Sequence, residues 1–236
     1  MIHCYDTLAN PLKWVCQPTG GIFVMKRLVS SIIAVLVAVL AMPVAAQQLT
    51  FHYGFIGQHD DQELYVVENS VAVASGAKLK LNFEYPTGSW FYVCYLSSTD
   101  DYALLYASAT GTDANDKTTF DTLGWLALDQ NVGTETFTLI TSEARLESFE
   151  VLLDNYAKAS GKSRKRFAKR IARALQDLPG QLAGPTGIQL AQRLDKPVMG
   201  GVTFRGVTSE DLSQHSLSHK ASGDRIAQAV FTIDHQ

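Results

Sequence analysis

Between Lys78 and Tyr85 apolar and polar residues alternate strictly, with Leu79, Leu81, Phe83 and Tyr85 at one set of alternate positions and Lys80, Asn82 and Glu84 at the other. Successive side chains of a strand point to opposite faces, so LKLNFEY predicts a strand buried on one side. After the turn residues Pro86, Thr87 and Gly88 comes WFYVCYL, Trp90 to Leu96, an almost unbroken aromatic and β-branched run. Such a run predicts a central strand covered on both faces, and the two segments together read as a hairpin. Tyr102 to Tyr106 and Glu135 to Ile140 predict two more strands, with shorter ones at Phe51 to Phe55, Leu64 to Val67, Trp125 to Leu128, Val202 to Phe204 and Ile226 to Ile233. The stretch from Ala107 to Leu123 is polar and predicts an irregular loop. The Ser-rich SEDLSQHSLSHKASGD lacks periodicity and predicts a flexible loop joining the strand-like VTFRG and IAQAVFTID.

Helical spacing replaces alternation in one block. Leu146, Phe149, Leu152, Leu153 and Tyr156 recur at helical intervals, with Ser142 as N-cap and Glu143 in the favourable first turn. Gly161 interrupts, and from Ser163 a second helix places Phe167, Ile171, Ala174, Leu175 and Leu178 on one face until Pro179-Gly180 ends it. Many short strands plus one helical block predict an α+β fold that is mainly antiparallel β: an Ig-like sandwich or a partly open barrel with a two-helix insertion. The expected organisation is a single β-rich domain over 47–236 with its helical segment at 142–178.

The front of the chain has a different pattern. Met25, Lys26 and Arg27 precede the apolar run LVSSIIAVLVAVLAM, then Pro43 and the small residues Val44, Ala45 and Ala46. A charged start, an apolar middle and a small-residue end predict a secretory signal cleaved after Ala46 and started at Met25, with residues 1–24 an upstream extension. The competing expectation is an uncleaved anchor, because Leu28 to Ala46 approaches the ~20 residues of a membrane span. Export implies a periplasmic or secreted protein. Cleavage would leave Cys94 as the one cysteine of the mature chain, without a disulfide partner, and no lipobox-like Leu-x-x-Cys follows the signal.

The run SGAKLKLNFEYPTGSWFYVCYLSSTDDYALLY, then WLALD, then GTETFTLITSEARLESFEVLL resembles the bacterial family called domain of unknown function 4384. The parts that carry the resemblance are Gly76, the Trp90 to Leu96 strand, Leu104-Leu105-Tyr106 and Gly133-Thr134-Glu135, and they cover residues 75–155. Ala107 stands where members often carry proline, which puts the following turn in question. The family's motifs are structural, so the resemblance implies a fold and no active site. In many bacterial chains such a domain looks like an appendage to a caspase-like peptidase or a protein kinase, and 236 residues leave no room for either.

Candidate chemistry is sparse. Gly161-Lys162-Ser163 looks like the end of a phosphate loop, but GxxxxGK[ST] needs a glycine where Tyr156 stands, and the preceding segment reads as helix. His215 and His219 have the i, i+4 spacing of two zinc ligands, yet they lie in the Ser-rich segment and read as a solvated loop. His52, His59 and His235 are isolated. Cys94, inside the aromatic strand, reads as a small hydrophobe with a raised pKa. Asp60-Asp61 and Asp100-Asp101 read as turn residues whose side chains point apart into water. Asp113, Asn115, Asp116 and Asp121 form an oxygen-rich loop, but Thr118 occupies the position where a calcium loop needs glycine. Of Trp90, Phe91, Tyr92 and Tyr95, one alternate set must be core, and the other predicts a second packed layer or a ligand platform.

Charge carries the sharpest functional signal. The chain has a formal net charge of −3 and is 46% hydrophobic. SGKSRKRFAKRIARAL, from Ser160 to Leu175, nevertheless concentrates lysine and arginine without a single acid. Lys165, Arg166, Lys169, Arg170 and Arg173 occupy an arc off the apolar stripe, and these five are the candidate partner-binding residues. An anionic membrane surface or an acidic envelope protein fits such a face. Nucleic acid and nucleotide do not fit an exported protein without interleaved aromatics. An ordinary solvated helix face accounts for the same pattern. The expected role is a non-catalytic exported binding or accessory module, with no cofactor and no metal. The alternatives are an envelope hydrolase with an unrecognised site and a purely structural domain.

Overall fold

The computed structural model describes residues 48–58, 64–109, 117–182, 188–199, 202–203 and 216–236. Eight strands come first: β1 (Leu49–Gln58), β2 (Leu64–Val67), β3 (Val71–Val73), β4 (Lys78–Pro86), β5 (Trp90–Leu96), β6 (Tyr102–Ala109), β7 (Thr118–Ala127) and β8 (Gly133–Ser142). Helices α1 (Glu147–Lys158) and α2 (Gly161–Leu182) follow, and then β9 (Ile188–Met199), β10 (Val202–Thr203), β11 (Leu217–Gly223) and β12 (Ile226–His235). The fold is α+β and mostly antiparallel. One sheet has the order β10-β9-β11-β1-β4-β7, with β2 also paired to β1; the other has the order β3-β12-β8-β5-β6. The two sheets do not close into a barrel, which leaves the sandwich of the two expected architectures. Within the second sheet β3 runs parallel to β12.

The inner faces of the two sheets meet in an aromatic core. Phe55 stacks on Phe231 at 4.3 Å between ring centroids, and Phe83 stacks on Phe91 at 4.6 Å. The second contact corrects the expected hairpin: β4 pairs with β1 and β7, whereas β5 pairs with β6 and β8. The Pro86 to Ser89 turn therefore carries the chain from one sheet to the other. Two strands with apolar faces remove more surface from water by facing each other than by lying side by side, at roughly 1.5–3 kcal/mol per large side chain. The strand β4 is also more covered than its alternation suggests, since Asn82 and Glu84 on its outer face are buried.

Three segments expected as irregular are extended. Residues 107–109 continue β6, so Ala107 sits inside a strand, and 118–123 open β7. Tyr106 donates to Asp121 across these two edge strands, at 2.6 Å, which ties the sheets together at that side. In the Ser-rich segment Leu217, His219, Ala221 and Gly223 take the inner positions of β11, and Leu217 and Ala221 are fully buried. Small and polar residues hide this alternation from a hydropathy pattern.

The helices cover the outer face of the second sheet. Tyr92, Cys94, Ile140 and Ile226 present their side chains there, under Leu146, Phe149, Leu153 and Tyr156 of the α1 region and Ile171 and Leu178 of α2. The strand β5 is thus covered on both faces, and the Trp90–Tyr92 set lies under a packed layer. The helix α1 does not start at Ser142, which is the last residue of β8. Leu146 is the N-cap, and its N–H donates to the Tyr92 hydroxyl at 2.9 Å. A tyrosine from the sheet thereby supplies an acceptor at the helix start, where no N-cap side chain does so. The helix α2 likewise passes through Pro179 to Leu182 rather than ending before it.

Candidate functional site

The helix α2 begins at Gly161, whose φ of +53° lets the chain turn from α1 within two residues. Its phase is set by docking: Ile171 and Leu178 are buried against the sheet, with Phe167, Ala174 and Leu175 packed beside them. One further clamp fixes its first turn. Arg164 places Nη2 2.8 Å and Nε 3.1 Å from Asp101 Oδ1, and its guanidinium lies 4.4 Å from the Tyr156 ring centroid. The Tyr156 hydroxyl donates to the same Asp101 oxygen at 2.8 Å and accepts from the backbone N–H of Tyr102 at 3.2 Å. The Tyr156 hydroxyl first and the Arg164 guanidinium second hold the Asp101 carboxyl below the usual carboxylate range. Asp101 is therefore the anchor point of α2 although its side chain stays more than half exposed, and Asp100 beside it is also exposed, in a left-handed conformation.

This docking divides the five candidate cations. Lys165 and Lys169 line a cleft of about 680 Å³ between α2 and the β5–β6 turn, together with Asp100, Asp101, Tyr102 and Ala172. Arg166, Arg170 and Arg173 are exposed on a different side of the helix, and Arg170 lies 5.6 Å from the Phe167 ring centroid. Among the described residues none of the five forms an ion pair. The cleft continues along α2 into a slot of about 320 Å³ over the sheet, and the two share Leu96, Tyr102 and Ala172. The slot has Cys94, Thr136, Thr138 and Val230 on the sheet side and Leu175, Gln176 and Pro179 on the helix side. Gln228 lines it too, and its Oε1 is buried without a hydrogen-bond partner. Arg164, Asp101, Tyr156 and Gln228 are not distinguishable in the sequence, because their roles depend on helix phase and on contacts across the fold.

The remaining candidates fall elsewhere. Burial pushes the Cys94 thiol up to about 12, the property of a small core residue. Gly161-Lys162-Ser163 opens α2 directly after α1, with no strand before it. His219 is not solvated: it stacks on Tyr53 at 5.0 Å and bonds Ser218 Oγ at 2.8 Å. His59, Asp60, Asp61, Asp113, Asn115, Asp116 and His215 lie outside the described residues, as do residues 1–47 with the expected leader. Among the described residues no group of three or more His, Cys, Asp and Glu is placed to hold a metal ion, and no helix is long and apolar enough to cross a membrane.

Neither His52 nor His235 is isolated. His52 pairs in register with Glu84 on one side and Lys220 on the other, and burial lowers its pKa more than Glu84 raises it. His235 Nε2 lies 2.9 Å from Ser75 Oγ, and its Nδ1 lies 3.5 Å from Glu135 Oε1. A serine, a histidine and a carboxylate in this order have the connectivity of a hydrolase triad. The supporting parts of an acyl-transfer site are otherwise engaged. The Ser75 hydroxyl reaches the Gln236 carbonyl at 3.1 Å, and the Ser75 and Gly76 N–H groups donate to Gln236 and Leu128 carbonyls. An oxyanion hole requires such donors unpaired. The arrangement is a latch that pins the end of β12 to the β3–β4 turn.

Compared with protein-family models, with curated proteins and with solved structures, this chain has no match in any of the three.

Proposed function

We propose that this chain is an exported, non-catalytic binding or accessory module of the bacterial cell envelope, recognising an acidic surface through the basic side of α2. The observation that carries this reading is the segregation of charge. Five exposed cations share one helix whose apolar stripe is already spent on docking, in a chain that is acidic overall. Each basic residue close to an anionic membrane contributes about 1 kcal/mol, so a face of this size supports loose, salt-sensitive attachment. An acidic envelope protein offers the same complementarity. The resemblance of residues 75–155 to domain of unknown function 4384, itself a proposal, is consistent with a module that carries no active site.

The test is crosslinking in the envelope fraction together with co-sedimentation on anionic vesicles, comparing wild type with R166E/R170E/R173E. These three positions are exposed and do not line the cleft. Loss of a partner, or of vesicle binding at low salt, is the expected result. Identical capture by both proteins would remove the basic-face reading. A serine hydrolase is the second reading, and the Ser75–His235 contact alone favours it.

A further inference from the structure

We propose that the cleft along α2 is a binding site for an extended acidic segment of a partner protein, received with its carboxylates at Lys165 and Lys169 and its following residues in the slot toward Gln228. The inference rests on the reading of the chain as a binding module and names the chemistry of one of its partners.

Three observations select this occupant. At the mouth Arg164 and Asp101 neutralise each other, which leaves Lys165 and Lys169 facing Asp100 and makes the opening net positive. A carboxylate placed there is held by charge-assisted contacts at the rim of an apolar surface. Deeper in, Gln228 donates its Nε2 to the Leu175 carbonyl at 3.3 Å and so closes the inner end of the slot between sheet and helix. The floor is mixed: Thr136 and Thr138 alternate with apolar neighbours, and Val230 is 48% exposed at its edge. An acyl chain would cover the threonine hydroxyls without giving them partners. A peptide answers the hydroxyls with its own backbone groups and Val230 with a small apolar side chain. The volume of the slot, about 320 Å³, lies at the small end for ligand pockets and suits a few residues rather than a folded domain.

The experiment uses the full chain and a displayed library of peptides with two adjacent acidic residues followed by four randomised positions. Selection on wild type is set against selection on K165E/K169E, which reverses the mouth. It is also set against A172W and V230W, which fill the slot from the helix side and from the sheet side. Two blocking variants on opposite walls keep the test valid if one of them fails to fold, as judged by its melting curve. The expected result is enrichment on wild type of sequences with a small apolar residue downstream of the acids. The selected peptide should bind K165E/K169E at least tenfold more weakly, and the folded blocking variant not measurably. Dodecanoate, measured by calorimetry on the same proteins, separates an amphiphile from a peptide. Saturable dodecanoate binding that the blocking variant abolishes, without any peptide enrichment, would overturn the peptide assignment. So would enrichment that is equal on wild type and on the blocking variant. R166Q/R170Q, which lowers the exposed charge without placing an acid beside Lys165 or Lys169, should bind the selected peptide as wild type does at physiological salt and still weaken attachment to anionic vesicles, so failure of the cleft and failure of the exposed arginine face give different results.

Discussion

Gln228 on β12 donates its side-chain amide to the Leu175 carbonyl, the acceptor that Pro179 leaves without a helical donor. Four residues separate Leu175 from Pro179, and proline has no N–H to close that turn. A strand side chain thus replaces a helix hydrogen bond and lets α2 run on over the sheet. The expected consequence is coupling between the two positions. Q228A should lower stability by about 1 kcal/mol in the wild-type background, and by less than half of that in P179A, where the backbone donor is restored. Denaturant unfolding of the four proteins in the cycle measures this coupling, and strict additivity would contradict it.

The Asp101 anchor makes a prediction about pH. Its carboxyl is held below its unfolded value of about 3.9, so the stabilisation it adds is complete above that pH and is lost as pH falls through the lower folded value. Stability from this group should therefore be flat from neutral pH down to about pH 4 and decline only below it. Y156F removes the hydroxyl, which is the largest cause of the shift. Carboxyl titration followed by NMR should then show the Asp101 midpoint moving up toward its unfolded value. An unmoved midpoint would mean that Arg164 alone sets it.

Cys94 should be inert in the folded protein. With its thiol pushed up to about 12 by burial, almost no thiolate is present at neutral pH, and the side chain is 1% exposed. Peptide mapping after iodoacetamide treatment at pH 8 should find Cys94 unmodified in the native protein and modified after denaturation. Fast native labelling would show that the slot above β5 opens far more than its packing suggests.

The Ser75–His235 contact is expected to act in stability rather than in chemistry. S75A should lower stability by about 1 kcal/mol, because His235 Nε2 then loses its partner at the end of β12. A fluorophosphonate probe should leave Ser75 unlabelled, since the neighbouring N–H groups are already bonded. Labelling of Ser75 that H235A abolishes would reverse this assignment and make the hydrolase reading the leading one.

Tyr92 should matter more to α1 than Ser142 does as a cap. Y92F removes the acceptor of the Leu146 N–H and the donor to Glu150 Oε1, at 2.9 and 3.0 Å, and should cost about 1–2 kcal/mol. Hydrogen exchange at the first turn of α1 should speed up with it. Unchanged exchange would show that the helix start needs no help from the sheet.

Local periodicity by itself determined the strands at Lys78 to Tyr85, Trp90 to Leu96 and Ile226 to Ile233, the two helices, and the apolar stripe that docks α2. These features depend on which residues one strand or one helix must hide, and neighbours within a few positions record that demand. Tertiary structure alone decided that β4 and β5 face each other instead of pairing, and that the Ser-rich segment supplies a buried strand. It also decided that α2 continues through Pro179. In the basic run it separated Arg164, bound to Asp101 from 63 residues away, from Lys165 and Lys169 at a cleft and from Arg166, Arg170 and Arg173 in solvent. Cations of one helix look alike in sequence, because their difference lies in the phase of docking and in partners brought together by the sheets. Gln228, Ser75 and His235 were illegible for the same reason: each acts on a residue more than fifty positions away, and no spacing rule spans that distance.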